Sequence, residues 1–161
     1  MDEDAVDFAL VAWREDGRWV VDALPTRTVD SIATLVAALR AQPSESSVLG
    51  LVSIAEDFFL AVRVIGDDNR ILLSDVTAAQ DWPLARQAVE QLGVPMPEGD
   101  ELDEVQPAGD LRIFEDLGVG PDEVDLLCGD PELYPDEMLA AVANRIGFGE
   151  QFDAALEALP D

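Results

Sequence analysis

The sequence has no histidine, no lysine and a single cysteine, Cys128, among its 161 residues. Each absence removes a class of chemistry. Ser-His-Asp and Cys-His devices need an imidazole that titrates near neutrality. A zinc site needs several Cys or His ligands, and a Walker-type phosphate loop needs its Lys. One Cys makes no internal disulfide, which fits a reducing compartment. Positive charge is scarce too: 9 Arg stand against 35 acids, for a net charge of −26 and a pI near 4.1. Such a chain repels a phosphate backbone, and direct binding of nucleic acid is not expected. No apolar run approaches the roughly 18 residues of a membrane span, and the start, Met1-Asp2-Glu3-Asp4, is the opposite of a basic signal-peptide leader. A soluble, cytoplasmic protein is expected.

What is present is enough apolar material for a core, 48% of residues with 6% aromatics, which argues against global disorder. Val6, Phe8, Leu10 and Ala12 alternate with Asp7, Ala9, Val11 and Trp13, the period of a strand. Asp16-Gly17 supplies a hairpin turn, and Arg18 to Leu24 returns as the second strand. Trp13 and Trp19 are expected to face each other across this hairpin. Ile32, Leu35, Val36 and Leu39 then form a helical stripe, with Thr28, Asp30 or Ser31 as N-cap. Three strand-like runs follow, 48–54, 58–65 and 70–76. Asp81-Trp82-Pro83 opens a second helix, with Asp81 as its expected cap, and Gly93 stops it.

The expected fold class is therefore α+β. A five-stranded antiparallel sheet and two helices, in the order β-β-α-β-β-β-α, fill residues 1–93, an order similar to that of longin, roadblock and profilin-like domains. Residues 94–109, with Pro95, Pro97, Gly99 and Pro107 among acids, read as an acidic linker. Residues 110–161 read as a small helical region. Leu111, Phe114 and Leu117 suggest one helix, and Pro121-Asp122-Glu123 and Pro135-Asp136-Glu137 open two more. The repeated Pro-Asp-Glu is read as two independent helix starts rather than a duplication. Whether this region docks on the sheet is open at this level.

The charge is uneven. Residues 1–90 hold 7 Arg and 16 acids, whereas 91–161 hold 2 Arg and 19 acids. No catalytic residue, metal ligand or cofactor is indicated. Asp57 beside Phe58-Phe59, and Asp75 within a strand run, are the acids most open to a raised pKa, but a strand-end acid is the simpler reading. The stretch Gly99 to Glu104 lacks the sixth-position Gly of a calcium loop. Cys128, flanked by Asp125 and Asp130, lacks the basic neighbour a nucleophile needs and reads as a core or helix-end residue.

Several segments carry a family resemblance. They are Val6-Asp7-Phe8-Ala9-Leu10 with Arg14-Glu15-Asp16-Gly17-Arg18-Trp19, Leu49-Gly50-Leu51-Val52-Ser53 with Glu56-Asp57-Phe58-Phe59, and Leu72 to Ala79 with Asp81-Trp82-Pro83-Leu84-Ala85. Gln106 to Leu111, Leu133 to Leu139 and Gly147 to Phe152 extend it over nearly the whole chain. Together they resemble the actinobacterial tRNA adenosine deaminase-associated proteins. That family is named for genes lying beside the gene of the zinc-dependent deaminase that makes inosine at the tRNA wobble position. The resemblance implies a context rather than a mechanism. The deaminase's own His-x-Glu and Pro-Cys-x-x-Cys signature is missing from this chain.

The resulting expectation is a non-catalytic accessory protein that binds a basic partner, the deaminase foremost, through an acidic surface. Its residues are Glu98, Asp100, Glu101, Asp103, Glu104, Asp122, Glu123, Asp125, Asp136 and Glu137. The alternative is a small-ligand or regulatory binding domain with a pocket at Asp75, Thr77 and Trp82.

Overall fold

The computed structural model describes residues 5–42, 44, 47–95, 99 and 105–159. Strands β1 (Val6–Glu15), β2 (Arg18–Ala23), β3 (Val48–Ile54), β4 (Phe58–Ile65), β5 (Asp68–Leu73) and β6 (Ala108–Gly109) form one antiparallel sheet in the order β2-β1-β3-β4-β5-β6. Helices α1 (Ile32–Arg40) and α2 (Pro83–Leu92) precede β6, and α3 (Pro121–Cys128), α4 (Pro135–Ile146) and α5 (Gly149–Glu157) follow it. Among the described residues no helix is long and apolar enough to cross a membrane.

Local signals decide most of these elements. Asp16 and Gly17, with φ of 53° and 79°, form a two-residue turn that pairs Glu15 with Arg18. The Ser31 hydroxyl accepts the Thr34 N–H at 3.1 Å and so caps α1. α2 starts one residue later than expected: Trp82 holds the N-cap position without a side-chain bond, because Pro83 at the first helical position needs no donor partner. Gly93, left-handed at φ 69°, ends α2.

The strands are covered on both faces. On one face Ala9, Val11, Val52, Leu60 and Val62 meet Leu35, Leu39, Leu84 and Ala88 of α1 and α2. At Gly50 a Cβ would lie 3.0 Å from Leu39 Cδ1, so α1 approaches the sheet closely there. On the other face Phe8, Leu10, Leu51, Phe59 and Ala61 join Val124, Leu139, Val142, Phe148 and Phe152 in a second core. The C-terminal helices thus complete a helix-sheet-helix sandwich. This is why β3 is buried along its whole length and β4 up to its last residue.

One polar group crosses the second core. Arg63 lies on the same face of β4 as Phe59 and Ala61, and its side chain is only 5% exposed. Its guanidinium grips Asp116 with both nitrogens, donates to the Ile113 carbonyl at 2.8 Å and reaches Ser47 Oγ at 2.9 Å. It rivets the 110–117 segment to the sheet.

Three expectations need correction. The sheet has six strands, not five: Ala108 and Gly109 pair with Leu73 and Leu72. Two residues are too short for any periodicity, but Gly109 is required there. Its φ is +107°, and a Cβ would sit 2.2 Å from the Ile71 carbonyl oxygen. Residues 111–117 form turns with a single 3-10 element, Glu115–Leu117, because Asp110 and Gly118 close tight turns at either end. Trp13 and Trp19 lie on opposite faces, since Trp13 pairs with Val20 and not with Trp19. A one-residue offset in register reverses a side chain's face.

The Arg63 guanidinium holds the Asp116 carboxyl below the usual carboxylate range. A depressed carboxyl contributes stability above its ordinary range and loses it as pH falls through the depressed value. Asp116→Asn should therefore destabilise the protein at neutral pH. The cost is about 1–2 kcal/mol, or roughly 2–8 °C in Tm, less than for a fully buried pair because Asp116 faces solvent. Thermal melts of both forms should converge as the pH is lowered through the depressed value, once the native carboxylate is also protonated.

Candidate functional site

A concavity lined by several acids lies at one end of the sheet, between the β3–β4 turn, the end of β5 and the α3–α4 connection. It is a cleft of about 350 Å³. Its walls are apolar, from Val105, Pro131, Leu133, Pro135 and Met138, and its acidic lining comes from Glu56, Asp57, Asp75 and Asp130. Among the described residues no cation lines it.

The turn that brings Glu56 and Asp57 here is strained. Ala55 and Glu56 hold φ of 52° and 54°, a region that favours glycine. Asp7 compensates: its Oδ2 accepts the Glu56 N–H at 2.7 Å and the Ser53 hydroxyl at 2.9 Å. Ala55 N–H donates to the Ala5 carbonyl at 2.7 Å. Strain over-determined in this way is common beside recognition sites.

Both acids singled out from the sequence prove to be engaged in structure. Asp57 Oδ2 accepts the Trp82 indole N–H at 2.9 Å, and that ring packs on Phe58 with centroids 6.3 Å apart, tying the start of α2 to the turn. Asp75 caps the 3-10 element Val76–Gln80, its Oδ1 accepting the Thr77 N–H at 3.0 Å and hydroxyl at 2.7 Å. Asp75 is buried and lines the cleft. Thr77 and Trp82 stand behind the lining, each bonded to an acid that forms it.

Cys128, the last residue of α3, also borders the cleft and is buried. Burial, with the negative charges of Asp125 and Asp75 added, pushes its thiol up to about 12. A thiol kept protonated is no nucleophile at neutral pH. Among the described residues no group of three or more acids and Cys could hold a metal ion.

The expected acidic surface falls in two parts. Glu98, Asp100, Glu101, Asp103 and Glu104 lie outside the described residues. Asp122, Glu123, Asp136 and Glu137 sit in the first turns of α3 and α4, where acids also suit the helix dipole, and Asp125 lies further along α3. Glu123 is engaged by Arg145, two nitrogens at 3.0 Å, which holds its carboxyl below the usual range. Glu137 accepts the Tyr134 N–H at 3.1 Å. Asp122, Asp125 and Asp136 are exposed and form no ion pair among the described residues.

Sequence reasoning missed what stands among these acids. Leu126 is 74% exposed, and Tyr134 and Val105 are each 58% exposed. On α3 Leu126 shares its outward face with Asp122 and Asp125, a spacing that the sequence carried.

The Rv3753c-like tRNA adenosine deaminase-associated protein family matches residues 7–149. The chain belongs to this family. It is similar to Protein Rv3753c of Mycobacterium tuberculosis (strain ATCC 25618 / H37Rv), 30% identical over 154 residues, which cover 94% of this chain and 88% of that protein. No solved structure matches it.

The raised Cys128 thiol yields a pH dependence. Its stability contribution is complete below the ordinary thiol value near 9 and is lost as pH rises toward about 12. Denaturation curves should show this alkaline loss, and Cys128→Ala should remove it. A chromogenic disulfide reagent at pH 8 should label the thiol only after unfolding.

Proposed function

We propose that this protein is a cytoplasmic, non-catalytic accessory protein that binds a basic protein partner through the acidic face of α3, the start of α4 and the adjoining cleft. The tRNA adenosine deaminase of the family's name is the leading candidate. The observation that carries this reading is a pair of exposed apolar side chains, Leu126 on α3 and Tyr134 at the N-cap of α4, the helices that carry Asp122, Asp125 and Asp136, acids with no ion pair among the described residues. A surface meant only to stay soluble has little use for them, whereas protein interfaces pair apolar and aromatic anchors with a charged rim. The acids would speed encounter with a cationic surface and reject anionic ones. If the partner's contact face is its RNA-binding face, the complex competes with tRNA; if not, the protein positions or stabilises the enzyme.

The cleft supports a second reading, a small-ligand binding domain. Its four acids and apolar walls suit a small organic cation.

Calorimetric titration of the purified deaminase into this protein tests the first reading. Binding should be measurable at about 50 mM salt and weaken sharply by about 300 mM. Leu126→Ala and Tyr134→Ala should each cost about 1–2 kcal/mol of affinity. Absence of binding at low ionic strength overturns the proposal.

A further inference from the structure

A different part of the molecule, independent of the acidic face, presents an unfinished sheet. β2 is the terminal strand, with β1 its sole neighbour among the described strands. The two-residue turn sets which of its backbone groups are used. Arg18 closes the hairpin opposite Glu15, and Leu24 N–H donates to the Ala9 carbonyl at 2.8 Å, so the even-numbered residues 18 to 24 point their N–H and C=O groups at β1. The N–H and C=O groups of Trp19, Val21 and Ala23 therefore point outward. Beside this edge, on the second face, lies a groove of about 490 Å³ between β2 and α5, lined by Trp19, Val21, Ala154, Ala155 and Leu159 among others. The Trp19 indole N–H has no acceptor within the described residues.

We propose that β2 pairs antiparallel with β2 of a second copy about a twofold axis at Val20, joining two six-stranded sheets into one. The strand reads Arg18-Trp19-Val20-Val21-Asp22. Antiparallel pairing centred on Val20 sets Arg18 opposite Asp22 of the other copy, twice, and Trp19 opposite Val21, twice. The outward groups of Trp19 and Val21 then form the hydrogen-bonded pairs, four bonds in all. Arg18 and Asp22 fall at the non-hydrogen-bonded positions, where side chains stand closer. Centring on Trp19 or Val21 keeps the hydrogen-bond pattern but leaves Arg18 opposite Val20 or Leu24, so the charges select Val20. An isologous contact of this kind closes after two copies and leaves no further edge at β2.

Two bodies of charge −26 repel, so the dimer should strengthen with salt, the reverse of the partner binding proposed above. At about 0.5 M the Debye length is roughly 4 Å, which screens the long-range repulsion and largely spares ion pairs at contact.

Sedimentation velocity of the full chain from low to about 0.5 M salt tests this. The dimer fraction should rise with salt. Arg18→Asp and Asp22→Arg should each weaken it by roughly 30-fold, because each places like charges opposite one another twice. The double exchange Arg18→Asp with Asp22→Arg should restore it. Val21→Pro removes only an outward N–H and should leave a folded monomer, its folding checked by circular dichroism. A wild-type monomer throughout, or a dimer indifferent to the charge variants, overturns the proposal. So does failure of the double exchange to restore pairing.

Discussion

The rest of the structure depends on a sheet that must be buried on both faces. β1, β3 and β4 carry large apolar residues at both parities, so either face left in water would expose several Leu, Val and Phe side chains. At about 1.5–3 kcal/mol for each such side chain, neither helical layer is optional. α1 and α2 cover one face, and α3, α4 and α5 cover the other. The buried Arg63 works within this constraint. Its charge is tolerated because each of its three nitrogens finds an oxygen, from Asp116, Ile113 or Ser47.

The same arrangement frees the surface for recognition. With the core internal to the sandwich, acids gather on the C-terminal layer and around one end of the sheet, where no cation lines the cleft among the described residues. Some of these carboxylates have structural duties: Asp57 holds Trp82, Asp75 caps a turn and Glu123 pairs with Arg145. Others, Asp122, Asp125 and Asp136, are left for solvent or a partner. Deaminase-associated describes the family; the proposed role follows from acids and apolar anchors sharing one face.

Much of the fold was legible in the chain. The Asp16-Gly17 turn, the stripe from Ile32 to Leu39, the helix stop at Gly93 and the Pro-Asp-Glu starts of α3 and α4 are local signals, and local physics decides them. What escaped was non-local. β6 is two residues held by a glycine that only the Ile71 carbonyl explains. The faces of Trp13 and Trp19 depend on register. The second helical layer did leave a trace, since Val48–Ile54 and Phe58–Val64 are nearly free of the polar alternation that a sheet wet on one face shows. Of the site, the sequence offered Asp57, Asp75 and Cys128 as separate residues. Their meeting at one cleft, with Asp130 across from them, is a product of tertiary packing.

Native-state hydrogen exchange on the full chain tests the two-faced sheet most directly. If both layers are required, amides of Leu139 to Ala143 in α4 should exchange with the same free energy as those of Leu51 and Leu60 in the sheet, all through global unfolding. Opening of α3 to α5 several kcal/mol below the sheet would contradict the account, because the strands would then keep their structure with one face uncovered.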